Sequence, residues 1–314
     1  MLARHSRGKL IRSTAWALVA AGVAAPIVRR RVKLPPAAVL GAAATAPLAL
    51  CVALPRRHSR DVAVVALNMW AYLAAYELPH DDPERLEQRV RVRYPILADR
   101  VLGLGVPPTL RLQRLSKPGE ISPFERVLVW CHWLWFFVPH TSMLYVLLRR
   151  PERFGASAAR MYAVFDTGAI FYWAIPTAPP WWAGARGYLG DGKQPVVRRM
   201  MIEYGEEFWR ERWGGLYDVL GGNPLAAMPS LHFATSLMAA HLLAEVDPVA
   251  GAVGATYATL LGTALVWLGE HYAADLLAGA VLTESVRRAA PTLAPAARRF
   301  SAIVQALEAR AHPA

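Results

Sequence analysis

Residues 221–242 read GGNPLAAMPSLHFATSLMAAHL, and residues 268–279 read LGEHYAADLLAG. Each stretch sets a histidine at the edge of an apolar run. Pro229 suits the first turn of a helix, where its missing N–H would have no partner in any case. Ser230, Leu231 and His232 then stand at that helix's N-terminus, where free amide hydrogens and the positive end of the dipole converge on an anion such as phosphate. The runs 232–246 and 249–268 are apolar enough to enter a bilayer and return. Such a hairpin brings His232 and His271 to the same face of a membrane. Ionisable residues in that setting are costly and usually functional.

Further apolar runs lie near 15–28, 37–54, 62–78, 127–148, 158–176 and 272–286, close to the roughly 20 residues a spanning helix needs. The fold expected is all-α: a polytopic membrane protein with a six-helix catalytic bundle and an extra N-terminal hydrophobic hairpin. Residues 1–60 would form the hairpin or anchor, 61–290 the catalytic transmembrane domain and 291–314 a basic cytoplasmic tail. Composition agrees, since 55% of the 314 residues are hydrophobic and 18% charged, against about 25% charged in soluble domains. The formal net charge of +12 raises nucleic acid as a partner. The arginines, however, cluster beside apolar runs, as the cytoplasmic positive bias and anionic headgroups select, so no nucleic acid is expected. Cys51 and Cys131 are too few and too far apart for a disulfide framework or a thiolate metal site.

Arg4, Arg7, Lys9 and Arg12 before an apolar stretch imitate a signal peptide, but Arg29, Arg30 and Arg31 after it make a poor cleavage context, so a retained anchor is expected. In 79–126, Leu86, Val90, Tyr94, Leu97 and Val101 recur at helical spacing. That pattern fits a helix lying along the membrane surface or a solvated loop. Residues 177–223 open with TAPPWW and are too polar and broken to cross; Pro179, Pro180, Trp181 and Trp182 read as a helix stop at the interface. The N-terminus, 56–60, 149–153 and the tail from Arg287 onward read as cytoplasmic, which puts 177–223 and the start of the last span on the extracytoplasmic side. Arg29 to Lys33 breaks this rule.

His271 and Asp275 are four apart, a spacing that puts both on one helix face. The carboxylate can then accept a hydrogen bond from one imidazole nitrogen and leave the other as a lone pair. An imidazole held this way is a nucleophile or a base.

With its two histidine motifs at this separation, the part of the chain from Phe165 to Val286 resembles the type 2 phosphatidic acid phosphatase superfamily. NPLAAMPSLH and GEHYAAD look most like the branch containing fungal inositol phosphorylceramide synthases and their bacterial relatives. The resemblance implies that His271 attacks phosphorus to give a phosphohistidine, that Asp275 holds its ring, and that His232 protonates the leaving alkoxide and later activates water or an acceptor hydroxyl. It implies that Ser230 and nearby amides hold the phosphoryl oxygens. Neither metal nor cofactor is called for, and the partner is a phospholipid or glycolipid in the membrane.

The chain departs from the superfamily pattern in two places. Ala264 and Leu265 stand where Ser-Arg is usual, and the lysine followed by Arg-Pro of the first motif has no clean match. Lys193, Arg198 and Arg199 are the expected replacements for the lost cations, with Arg186 a weaker choice. Asp166, inside an apolar run, is a buried acid whose partner the active site could supply. His132 and His140, with Trp133 and Trp135 nearby, could line a headgroup pocket, but a structural role is favoured, with Pro139 kinking their helix; His241 reads as packing, and Glu270 as an electrostatic neighbour of His271. The branch favours headgroup transfer over hydrolysis of a lipid or polyprenyl phosphate. A transporter is the competing class, and it would set the histidines at the bilayer midplane.

Overall fold

The computed structural model describes residues 2–189, 197–220 and 222–313. It falls into two compact units, residues 1–81 with 287–314 and residues 82–286.

The first unit holds α1 (Leu2–Val28), α2 (Pro36–Ala53) and α3 (His58–Glu77). Pro36 opens α2 at a position that needs no amide hydrogen. Ala15, Val19, Ala49 and Leu50 form its core. The arginines that break the charge rule are answered inside this unit: Arg29 binds Glu77 (3.0 Å) and Asp81 (2.8 Å), and Arg30 binds Asp81 (2.7 Å). Glu308, in the C-terminal segment, binds Arg60 at 2.8 Å and Arg56 at 3.4 Å within this unit.

The second unit contains α4 (Pro83–Arg89), α5 (Arg93–Leu102), α6 (Pro108–Gln113), α7 (Pro123–Leu134), α8 (Val138–Arg149), α9 (Pro151–Ala174), α10 (Pro180–Ala185), α11 (Met200–Trp209), α12 (Trp213–Leu220), α13 (Leu231–Ala244), α14 (Pro248–Trp267) and α15 (Ala273–Ala311), the last continuing into residues of the first unit. The surface helix expected over 79–126 is three short ones, because Pro83 and Pro108 start new helices and Gly103 caps α5. Leu86 is buried but Leu97 and Val101 are exposed, so the stripe has no single apolar partner.

Among the described residues four helical stretches are long and apolar enough to cross a membrane: Ser6–Val28, Pro36–Ala53, His58–Asp81 and Pro248–Trp267. The pair α7 and α8, bent by 56°, meets the same criterion only when taken together, as a broken span or a re-entrant loop. The run at 127–148 thus breaks rather than forming one straight helix. Pro139 has no N–H to give the Trp135 carbonyl one turn back, and the chain unwinds there. α13, at 14 residues, spans about 21 Å at 1.5 Å per residue, short of the roughly 30 Å hydrocarbon core. Asp247 caps α14 by accepting from the amides of Val249 and Ala250, which makes α13 and α14 a tight hairpin.

Candidate active site

The loop before α13 is strapped at several points. Asn223 Oδ1 accepts from the Leu225 amide (3.0 Å), and Thr177 exchanges main-chain bonds with Leu225 (2.8 Å) and Ala227 (3.2 Å). Ser230 is the N-cap of α13, its Oγ accepting from the Phe233 amide at 3.4 Å. Pro229 therefore precedes the helix instead of lying in its first turn, and its carbonyl accepts from the Tyr172 hydroxyl at 2.8 Å. His232 is the second helical residue, as an anion site at this terminus requires.

Gly269 follows the C-cap of α14 with φ +83°, a left-handed conformation suited to glycine. After this turn the amides of Glu270 and His271 both donate to the Leu265 carbonyl, at 3.1 and 3.0 Å. α15 begins only at Ala273, so His271 is not on the helix. Asp275, in the first turn, reaches back instead: its Oδ2 accepts from the Tyr272 amide (2.9 Å) and faces His271 Nδ1 (3.2 Å). This is the reciprocal half of a capping box. The pairing foreseen from helical spacing is present, but the helix terminus makes it.

The two strands of sequence meet through the backbone. The Ser230 amide donates to the Asp275 carbonyl at 3.0 Å. A Cβ on Gly279 would lie 2.7 Å from the Ser230 carbonyl oxygen, so only glycine permits this approach. His232 Nδ1 consequently stands 3.2 Å from His271 Nε2. The network assigns the protons: His271 gives its Nδ1–H to Asp275, its Nε2 lone pair accepts, and His232 carries a proton on Nδ1. Ser230 and Asp275 are fully buried and His271 nearly so, while His232 is half-buried.

The expected cations fare differently. Arg199 is next to the motif: it grips Glu270 at 3.0 and 3.2 Å, donates to the Tyr217 hydroxyl at 2.7 Å, and lies 4.0 Å above the Trp181 ring. Arg198 is committed to Glu203 and to the carbonyls of Lys117 (2.8 Å) and Glu120 (3.1 Å). Arg186 pairs with Glu87 at 2.9 Å and covers Trp182. Lys193 lies outside the described residues. Asp166 is exposed on α9, so the burial expected of it does not hold. Ala264 and Leu265, at the usual Ser-Arg positions, are fully buried.

Three further groups stand near the centre; on sequence alone His132, with Trp135 nearby, is weighed as part of a headgroup pocket with a structural role favoured, and Asp99 is passed over. The His132 ring, read as structural, stands 5.0 Å from His232 and its Nδ1 has no partner. Trp135 packs 4.2 Å from the same ring, its indole N–H bonded to Thr235 Oγ1 at 2.9 Å. Asp99 bonds the Ala274 amide at 2.9 Å. Asp99 sits among surface-type charges that give no signal. Among the described residues no group of three or more His, Cys, Asp or Glu is arranged to hold a metal ion.

Residues 96–285 match the PAP2 superfamily. The chain belongs to that superfamily. It is also similar to the inositol phosphorylceramide synthase of Candida albicans, 27% identical over 165 residues that make up 49% of this chain and 34% of the relative. The match thus takes in about a third of that relative's length. No solved structure matches the chain significantly. The histidine pair, Asp275, His132 and Asp99 of this PAP2 protein all fall inside the matched region.

Proposed function

We propose that this PAP2 protein is an integral membrane enzyme that transfers a lipid-linked phosphoryl or inositol-phosphate headgroup to a lipid or glycolipid hydroxyl through a phosphohistidine at His271. The observation that carries the reading is the relay Asp275 Oδ2, His271 Nδ1, His271 Nε2 and His232 Nδ1, with 3.2 Å at both junctions. An incoming phosphate displaces the bond between the two rings and takes up position between them. His271 Nε2 forms a bond to phosphorus, the phosphorus–oxygen bond to the lipid breaks, and His232, as imidazolium, gives its proton to the departing alkoxide. Neutral His232 then takes the proton of the acceptor hydroxyl, whose oxygen attacks phosphorus and frees His271. Asp275 stabilises the positive charge on His271 between the two steps.

The amides at the start of α13 and the Ser230 hydroxyl hydrogen support the phosphoryl oxygens. Arg199 exchanges Glu270 for the phosphate, and Lys193 is the further cation. Residues 61–290 carry the chemistry, 1–60 serve as anchor and 291–314 as cytoplasmic tail, with the site on the extracytoplasmic side, as the arginine distribution favours. Attack by water on the same intermediate would make the protein a lipid phosphate phosphatase.

The test incubates purified protein and His271→Ala with phosphatidylinositol or phosphatidic acid and a lipid acceptor in detergent, following free phosphate and lipid products by mass spectrometry. Histidine-dependent formation of a new phospholipid with release of diacylglycerol supports transfer; histidine-dependent phosphate release makes it a phosphatase. Turnover unchanged in His271→Ala removes the nucleophile from the scheme.

A further inference from the structure

The first turn of α15 is held by an acid that the mechanism does not use. Asp99, on α5, has no exposed surface; its Oδ1 accepts from the Ala274 amide at 2.9 Å, and its Oδ2 has no partner. On the same turn Asp275 Oδ1 and the Tyr272 hydroxyl are also buried without partners. The three groups act electrostatically on one another. Buried polar atoms are nearly always paired, so three orphans around the turn that bears the catalytic carboxylate call for a cause.

We propose that Asp99 is a positioning residue for His271: it pins the Ala274 amide, fixes the first turn of α15, and so keeps Asp275 Oδ2 aimed at His271 Nδ1. Ala274 is the residue before Asp275, and a shift of that turn moves the carboxylate directly. Asp275 and Tyr272 on α15 are the titratable groups facing Asp99, and the Ala273 and Ala274 amides complete its surroundings. No cation is paired with it among the described residues. Burial first, with the Asp275 charge adding to it, pushes the Asp99 carboxyl up to about 7. Below that pH Asp275 is the lone anion of the turn. Above it a second negative charge appears on the turn, beside Asp275.

This inference rests on His271 being the nucleophile, but its test needs no lipid substrate. The rate at which diethylpyrocarbonate acylates His271 is followed by peptide mass spectrometry against pH in wild type, Asp99→Asn and Asp99→Ala, with melting temperatures measured alongside. Asn, which can offer the Ala274 amide a carbonyl oxygen in the place of Oδ1, should label at the wild-type rate. Ala, which leaves the Ala274 amide without its acceptor, should label more slowly throughout, as the carboxylate that holds the His271 tautomer shifts. Equal profiles in all three proteins, with only the melting temperature lowered, would overturn the proposal and leave Asp99 as a helix-terminus contact. Failure of the lipid assay with these labelling differences intact would count against the proposed reaction instead.

Discussion

Replacing Asp275 by Asn separates orientation from charge at this site in a way the geometry makes quantitative. Both hydrogen bonds to the Asp275 carboxylate, from the Tyr272 amide at 2.9 Å and from His271 at 3.2 Å, fall on Oδ2, while Oδ1 has none. An asparagine can set its single carbonyl oxygen in the Oδ2 position, keep both donors satisfied and place its NH2 where Oδ1 was, beside Asp99. The His271 tautomer is then preserved and only the charge is lost. Losing a charge-assisted hydrogen bond costs roughly 1.5–3 kcal/mol, which converts to about 10- to 150-fold in kcat. Asp275→Ala removes the acceptor as well, leaves two buried donors without partners, and should cost on the order of 10³–10⁴, the range seen when a histidine-orienting carboxylate fails to hold the tautomer. The assay is single-turnover formation of the phosphoenzyme with the lipid found active, comparing both variants at equal folded concentration. If Asp275→Asn is as inactive as Asp275→Ala, the shared-oxygen geometry is wrong and the imidazole has flipped.

Three further expectations are independent of that one. Gly279→Val would force a side chain into the Ser230 carbonyl, whose oxygen lies 2.7 Å from the first added carbon; helical content should survive while kcat falls at least about tenfold as the histidines separate, read by circular dichroism beside turnover. His132→Phe removes a buried ring nitrogen that has no partner, so the protein should be more stable by about 1 kcal/mol in denaturant titration, with activity lowered if the ring contacts the acceptor. Asp99 binds a proton in the folded protein up to about pH 7, well above its unfolded value, so the folded state holds more protons than the unfolded one between these limits and stability declines as pH rises through them. Asp99→Asn should abolish that decline, so the melting-temperature difference between variant and wild type should grow in the variant's favour from about pH 4 to pH 7.

Much of this was legible because the signals are local. Ser230 before a helix, His271 and Asp275 four apart, and Pro139 inside an apolar run each constrain a few neighbouring residues, and the chain obeys them as a cap, a hydrogen bond and a 56° bend. Where the local reading erred, a terminus was misplaced by one or two residues: Pro229 outside α13, and His271 before α15. The charge of Arg198 and Arg199 was equally plain, but their fate depended on Glu203 and Glu270, acids at other points in the chain.

The amino-acid sequence alone determined that this is a helical membrane protein and put Ser230 at a helix start and His271 four residues from Asp275, because apolar length and capping residues act within a turn or two of the backbone, and its two histidine motifs resemble those of the PAP2 superfamily. Tertiary structure alone decided which groups surround that centre. Asp99 reaches Ala274 and His132 reaches His232 across a hundred residues or more of sequence, and the close approach of Gly279 to Ser230 sets the 3.2 Å between the imidazoles. Contacts between distant segments depend on how whole helices pack, and no periodicity within either segment encodes them.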